Sequence, residues 1–370
     1  MHNSHLMRIL VALSGGIDSS TVAHVLTSQG HELIGVRFTL WTDPLAPALA
    51  EILPSKCCNA QTAMRAKATA ETLGIPYHIV NLEEEFKREV VDPFLDGYRK
   101  GETPNPCIRC NREIKFGKLM ELMEKFGCDM LATGHYARVA KERLPDGTTR
   151  MVLLESVDQG KDQSYYLYGL TQRQLEKVLF PLGGMMKEAV YELAENFGVP
   201  FDDTSYRESQ DLCFFPEKTP QEFLKRYVGD AMQPGNIVRR NGEVVGSHVG
   251  LPLYTPGQRK GLGIGGLKIP LEVVGKNPLR NELIVEPKGS EKTHEIQLEQ
   301  IRWVSWKPSE DESIVFECRT RSLSMRQRGT LQFKGDDGRF TFESAQGPQA
   351  VGQSLVLYRG EEVVGGGVIC

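Results

Sequence analysis

The first third of the chain alternates short apolar runs with longer stretches in which apolar residues recur every three or four positions. "RILVAL" (8–13), "ELIGVRF" (32–38), "YHIVNL" (77–82) and "DMLATG" (129–134) are short and apolar, as buried strands are. Between them "SSTVAHVLTSQG", "AQTAMRAKATAETLG" and "REIKFGKLMELMEKFG" have helical spacing and end on Gly30, Gly74 and Gly127, the residue that most readily closes a helix. This alternation predicts an α/β fold with a doubly wound parallel sheet, whose ligands sit at the carboxyl ends of the strands, here "LVALSGG" and "LATGHY". Residues 140–157 read as a hairpin turning at "PDGT", followed by helices at "TQRQLEKVLF" and "KEAVYELAENFG". A helix at "PQEFLKRYV" opens a second region of short, Gly- and Pro-rich strands. From about 290 onward "IRWVSW", "SIVFECRTR", "GTLQFKG", "RFTFES", "SLVLYRG" and "EVVGGGVI" are strands separated by turn signals, the pattern of a small barrel or sandwich. The expected organisation is an α/β domain over 7–210, a small α+β domain over 211–288 and a C-terminal β-barrel over 289–370.

Composition narrows the class. A chain of 370 residues, 40% apolar and 25% charged, is that of a multidomain globular protein. It has no run of about 18 apolar residues, and "MHNSHLMRIL" has no signal-peptide core, so a cytoplasmic location and no membrane contact are expected. Met7 is read as the natural start, with residues 1–6 a vector remnant. The net charge of −4 argues against indiscriminate nucleic-acid binding. Residues 225–288 nevertheless hold ten Lys or Arg against five Asp or Glu, which suits a defined polyanion site or, equally, a mixed solvated surface.

The turn "LSGGIDSS" joins the first strand to the first helix. Two glycines there let backbone N–H groups converge on a ligand, and the helix dipole adds positive potential, a phosphate-binding arrangement. Ser14, Ser19 and Ser20 add hydroxyls. Asp18 is unfavourable beside a phosphate unless a cation lies between, so Mg²⁺ is expected there. The turn is not G-x-x-x-x-G-K-[ST], and no lysine in it is placed for β- and γ-phosphates. It resembles the SGGxDS pyrophosphate loop (PP-loop) of ATP pyrophosphatases, which cleave ATP between the α- and β-phosphates. "GLGIGG" (261–266) also satisfies G-x-G-x-x-G, but without a strand–helix frame it is read as a loop.

Eight cysteines in such a chain read as thiols, ligands or catalysts, not as a disulfide framework. Cys107 and Cys110 form a C-x-x-C at a helix entrance. Asn111 is the expected N-cap, and Arg109 and Arg112 flank the Cys110 thiol, conditions that favour thiolate. Cys213 stands in "SQDLCFF". One C-x-x-C with scattered single cysteines lacks the pairing of a structural zinc site, so none is expected. Cys57 and Cys58 are adjacent, without ligand spacing; Cys128 and Cys318 are expected in cores, and Cys370 is terminal. His135 and His248 are expected to be hydrogen-bonded structural groups.

"ALSGGIDSS", "TPNPCIRCNREIKF", "ATGHYAR", "KDQSYYLY", "LCFF" and "GQRKGLGIGG" occur in this order, and through them the chain resembles the bacterial tRNA-specific 2-thiouridylase family from about residue 8 to 370. The resemblance implies an adenine-nucleotide-α-hydrolase-like first domain and thiolation of a tRNA wobble uridine at C2, with ATP and Mg²⁺. It implies that Ala12, Leu13, Ser14, Gly15, Gly16, Ile17, Asp18 and Ser19 hold ATP, with Phe38 and Gly134 near the adenosine. Asn105, Pro106 and Cys107 would border the target base, and Lys161, Asp162 and Gln163 would contact tRNA. Cys110 would be the nucleophile and Cys213 the persulfide carrier. Two departures stand out. Many members have Asp where Cys107 stands, and the familiar "TRY" of the barrel is "TRS" here, at Arg321 and Ser322, which leaves Arg321 for RNA phosphate but no tyrosine to stack.

The implied chemistry is attack of uracil O2 on the α-phosphate of ATP, loss of pyrophosphate, and displacement of AMP by sulfur, with the base out of its stack. Two sulfur schemes stand open. In one, the Cys213 persulfide attacks C2 and Cys110 closes a disulfide with Cys213, which needs their Cα atoms within about 7 Å. In the other, Cys107, Cys110 and Cys213 hold a [4Fe–4S] cluster with one open iron. The expected partners are tRNA and a sulfur-donor protein or sulfide, with a monomeric chain. Two other classes share features: an ATP-dependent amidotransferase or ligase acting on small molecules, and a non-catalytic RNA-binding protein with structural zinc.

Overall fold

The computed structural model describes residues 6–46, 60–199, 212–217, 219–265, 269–310 and 312–370. Cys57, Cys58, Gly266 and the start of "SQDLCFF" lie outside these residues.

The first domain is the expected parallel sheet. β1 (Arg8–Ala12) leads through the glycine turn into α1 (Ile17–Ser28), followed by β2 (Glu32–Thr39), α2 (Ala60–Leu73) and β3 (Tyr77–Asn81). A helical stretch missed in the sequence comes next. α3 (Glu83–Phe86) passes through a π-helical turn, Lys87–Val91, into α4 (Asp92–Arg99). α5 (Pro106–Arg109), a second π-helical turn (Cys110–Lys115) and α6 (Phe116–Lys125) then lead to β4 (Met130–Ala132). Strand order is β3-β2-β1-β4, with Leu10 of β1 in register with Ile34 and Leu131 on either side. Ile9, Leu10 and Val11 have no exposed surface, which is why β1 lacks polar alternation.

The hairpin β5 (Arg138–Arg143) and β6 (Thr149–Leu154) forms as expected, but it does not join the parallel sheet: β6 pairs with the last strand of the chain. "TQRQLEKVLF" is only partly helical. A capping box between Thr171 and Gln174 starts α7 (Gln172–Leu175), and then Val178 and Leu179, as β7 (Val178–Leu179), take the sheet edge beside Leu131 and Ala132. Burial of that apolar pair prevails over continuation of a helix. α8 (Lys187–Asn196) follows and packs on α1.

The central region has α9 (Gln221–Tyr227) and four strands, β8 (Gly235–Val238), β9 (Val244–His248), β10 (Leu271–Asn277) and β11 (Glu282–Pro287), in the order β10-β11-β8-β9. Its apolar side shares one core with the α3–α4 stretch, including Phe86, Phe94, Phe223 and Val285. Much of its positive charge is matched by carboxylates: Lys225 pairs with Glu222, Arg226 with Asp43 and Glu217, Arg239 with Glu243 and Glu286, and Arg240 with Glu291. Residues 261–265 of "GLGIGG" are a loop, with Leu262 buried in the shared core and Gly261 and Gly263 at positive φ.

The C-terminal region is a closed barrel of six strands: β12 (Thr293–Trp303), β13 (Ile314–Arg319), β14 (Gln327–Lys334), β15 (Asp337–Gln346), β16 (Ser354–Arg359) and β17 (Glu362–Ile369). The order β12-β15-β14-β13-β16-β17 closes through β12–β17 pairing. Alternate residues such as Leu331 and Phe333 of β14 fill its interior. Buried Glu155, just past the hairpin, ties it to the barrel through Arg319 (2.7 Å) and Arg326 (2.6 Å). No helix among the described residues is long and apolar enough to cross a membrane.

Candidate active site

The glycine turn lies at the carboxyl end of β1, in the middle of the sheet. Gly15 has φ +80°, and a Cβ there would fall 1.9 Å from the Thr62 carbonyl oxygen at the start of α2, so only glycine fits. Gly16 is the N-cap of α1 with no side chain capping the helix, the arrangement of an anion-binding helix start. The two hydroxyls of the turn hold each other: Ser14 Oγ and Ser19 Oγ are 3.1 Å apart, and Ser19 Oγ donates to the Gly16 carbonyl. Leu13 and Ile17 are buried anchors on either side, and Ala12 ends the strand. Gly134, after β4, lies against α1, where a Cβ would be 3.0 Å from Ser19 N and 3.1 Å from the Asp18 carbonyl carbon. Phe38 is half-buried on neighbouring β2.

Sequence reading missed three residues that shape this turn. Buried Arg37 donates to the Ser14 carbonyl (2.5 Å) and to Thr62 Oγ1 (3.0 Å), joining the turn to α2. Lys187, the first residue of α8, reaches Asp18 at 2.7 Å, and the Tyr136 hydroxyl donates to the same Asp18 oxygen at 2.8 Å. Asp18 thus meets a cation here, an ammonium supplied by a distant helix. An unpaired carboxylate beside a phosphate site was the only signal that could have pointed to Lys187.

The cysteine segment also differs from its sequence reading. The helix begins at Pro106 and not after Asn111, because Asn105 is the N-cap: its side chain accepts from Cys107 N–H at 3.2 Å. Asn111 is buried a turn further on, donating to the Tyr166 carbonyl. Cys107 thus takes the N-terminal turn, and Cys110 lies deeper. Arg109 is paired with Glu89 (3.3 Å) and Arg112 with Glu113 (2.6 Å), so neither guanidinium is an uncompensated charge for the Cys110 thiol. Hydrogen bonds from Arg88, and then from Arg109, hold the Glu89 carboxyl below its usual range. Cys110 is buried in the core shared with the central region, and half-buried Cys213 packs against that same core. The Cys213 segment is fixed from two sides, by Asp43 N–H on the Phe214 carbonyl (3.0 Å) and by Arg226 bridging Asp43 and Glu217.

Among the described residues no three His, Cys, Asp or Glu are grouped to hold a metal ion. Cys107, Cys110 and Cys213 do not form such a group here. His135 accepts or donates at Thr133 Oγ1 (2.8 Å), lies beside Phe116 and Phe180, and is held neutral by burial and then by Lys115.

In the segment Lys161–Gln163, Asp162 is buried and engaged by Ser156 N–H, Ser164 N–H and Ser164 Oγ, bonds that brace the loop. Burial raises its pKa against the lowering effect of those bonds. Gln163 exchanges hydrogen bonds with the backbone of Tyr136. Lys161 is half-buried at the same loop, its N–H on the Asp158 carbonyl. Ser322, in the place of the tyrosine, lies near the Tyr166 hydroxyl. Arg321 is exposed and lines a cavity of about 350 Å³ with Thr103, Gln258 and Gln353.

A parallel sheet with a serine–diglycine turn at its centre, a lysine paired with Asp18 of that turn and a closed C-terminal barrel define a multidomain α/β protein. Family models described as tRNA methyl transferase HUP domain, tRNA methyl transferase PRC-barrel domain and aminomethyltransferase beta-barrel domain match residues 7–217, 221–287 and 293–369. The chain is 41% identical to the "tRNA-specific 2-thiouridylase MnmA" of Geobacter metallireducens over 98% of its own length and 96% of that protein's. It is 40% identical to "tRNA-specific 2-thiouridylase MnmA 1" of Caldanaerobacter subterraneus (98% and 97%) and to the MnmA of Chloroflexus aurantiacus (98% and 98%). The chain belongs to the tRNA-specific 2-thiouridylase family.

Proposed function

We propose that this protein is a tRNA-uridine 2-sulfurtransferase that adenylates the C2 oxygen of the wobble uridine, position 34, and replaces it with sulfur, releasing AMP and pyrophosphate. Identity of about 40% to named 2-thiouridylases across nearly the whole chain carries this reading. In it, residues Ala12–Ser19 hold the phosphates of ATP, with Phe38 and Gly134 beside the adenosine. Backbone N–H groups at the start of α1 and the Lys187 ammonium stabilise the charge that builds on departing pyrophosphate. Mg²⁺ arrives with ATP as part of the substrate. Asn105, Pro106 and Cys107 border the target base, and Lys161, Gln163 and Arg321 meet the RNA.

Sulfur transfer follows the thiol scheme. The terminal sulfur of a Cys213 persulfide attacks C2, and AMP leaves. Cys110 thiolate then attacks Cys213 Sγ, which forms the Cys110–Cys213 disulfide and leaves the second sulfur on C2 as the thiocarbonyl; an external thiol reduces the disulfide. The shared core of Cys110 and Cys213 supports this pairing. The test is incubation with unmodified tRNA, radiolabelled ATP and a persulfide source, followed by nucleoside analysis. AMP, pyrophosphate and 2-thiouridine are expected, with Cys110→Ser and Cys213→Ser each abolishing 2-thiouridine while ATP binding survives. Formation of ADP, or full thiolation by either variant, overturns the reading.

A further inference from the structure

The segment just ahead of Asn105 is held by two other parts of the molecule. Thr103 N–H donates to the Val351 carbonyl at 2.8 Å, and Gln353 Nε2 donates to the Thr103 carbonyl at 2.6 Å, so the barrel takes both backbone polar groups of one residue. The central region takes the rest: Thr255 Oγ1 lies 3.2 Å from Thr103 Oγ1, and Lys276 Nζ donates to the Gly101 carbonyl at 2.9 Å. Packing is as close as the bonding. Gly352 has φ +88°, and a Cβ there would lie 3.1 Å from Glu102 Cβ and 3.2 Å from Pro104 N. Two residues beyond Thr103, Asn105 caps the short helix that presents Cys107 and leads into Cys110. A π-helical turn follows at once, a geometry that local hydrogen bonding alone holds poorly.

We propose that Gln353 of the barrel is a positioning residue for the thiol segment: its bond to Thr103 fixes where the capped helix starts, and so where Cys107 and Cys110 stand. The barrel then has a second task besides offering surface to RNA. The inference rests on the proposed thiolation for its kinetic readout, and on the chain alone for its chemical one. Gln353 reaches Thr103 only as a donor. Gln353→Glu keeps size but sets oxygen against oxygen, Gln353→Ala removes the contact, and Gln353→Lys restores an N–H donor on a longer stem.

The chemical test follows iodoacetamide labelling of each cysteine by mass spectrometry in the tRNA-free protein, with buried Cys128 of the first domain as internal reference. Gln353→Ala and Gln353→Glu are expected to speed labelling of Cys107 and Cys110 by about tenfold relative to Cys128, and Gln353→Lys to return it to within about twofold of wild type. In the thiolation assay the first two variants are expected to lose about tenfold in kcat with KM for tRNA within about twofold, and the lysine variant to recover. Unchanged labelling in Gln353→Ala and Gln353→Glu, or no recovery in Gln353→Lys while Cys128 labelling stays at its wild-type rate, overturns the proposal. A wild-type protein that makes no 2-thiouridine, with the labelling pattern as expected, defeats the thiolation reading and leaves the positioning role standing.

Discussion

Lys187 Nζ lies 2.7 Å from Asp18 Oδ1, and the lysine is the more deeply enclosed partner, with 4% of its side chain exposed against 28% for the aspartate. A buried ammonium at the mouth of a phosphate loop contributes most where negative charge develops. Lys187→Met is expected to lower tRNA-dependent AMP formation by about 100-fold, the loss typical of removing one donor from a developing anion. Asp18 keeps its bond from Tyr136, so circular dichroism should match wild type. Wild-type turnover in this variant would remove Lys187 from the site.

Gly15 and Gly147 both have positive φ, +80° and +85°, but differ in surroundings: a Cβ on Gly15 would strike the Thr62 carbonyl, whereas one on Gly147 meets nothing within 4 Å. Gly147→Ala should cost only backbone strain, about 1–2 kcal/mol. Gly15→Ala must also push α2 from the turn and should cost more than about 3 kcal/mol, with loss of ATP binding. Urea unfolding and nucleotide titration of the two variants check this; equal costs would refute the close approach of α2.

Glu155 is buried between Arg319 and Arg326, whose guanidinium groups lie 5.2 and 4.5 Å from the Tyr358 ring centre. Removal of one member of a buried ionic group leaves its partners uncompensated. Glu155→Gln is expected to destabilise the fold by about 3 kcal/mol, read as a lower urea midpoint. A change below about 0.5 kcal/mol would mean that the hairpin and barrel do not depend on this charge.

Lys276 donates to the Gly101 carbonyl from a desolvated position that holds its pKa down to about 8, against 10.5 in an unfolded chain. Below about 8 the lysine is charged in both states and the cost of burying that charge is fully present. Between about 8 and 10.5 the unfolded chain binds the additional proton, so this residue's contribution to stability rises with pH. The stability of Lys276→Met relative to wild type should therefore fall by about 2 kcal/mol from about pH 7.5 to about pH 9.5. A difference independent of pH would contradict the lowered pKa.

What was legible in the sequence was local. The apolar runs of β1 to β4, the glycines closing α1 and α2, and the strand–turn–helix setting of Ser14–Ser19 are each encoded within a dozen or so residues. What was not legible depends on partners far along the chain. Lys187 sits in a helix whose spacing says nothing about Asp18, and Arg37 reads as an ordinary polar position in a strand. The hairpin was visible, but its union with β17 was not, because an edge strand's sequence does not name its neighbour. The early start of α5 was readable in principle: Asn105 followed by Pro106 is an N-cap with proline at the first helical position, a stronger start signal than Asn111. The thiolate expected of Cys110 relied on two arginines that carboxylates engage, Arg109 by Glu89 of the π-helical turn Lys87–Val91 and Arg112 by its neighbour Glu113.

The pairing of Leu153 and Leu154 with Val363 and Glu362 has a consequence for biosynthesis. A ribosome releases the hairpin long before it makes β17, the strand that covers it. Until β17 emerges, that edge of the hairpin has no neighbour, so a nascent chain, or one cut short before β17, displays an open β-edge that invites aggregation or chaperone capture. Only a chain that includes β17 closes that edge.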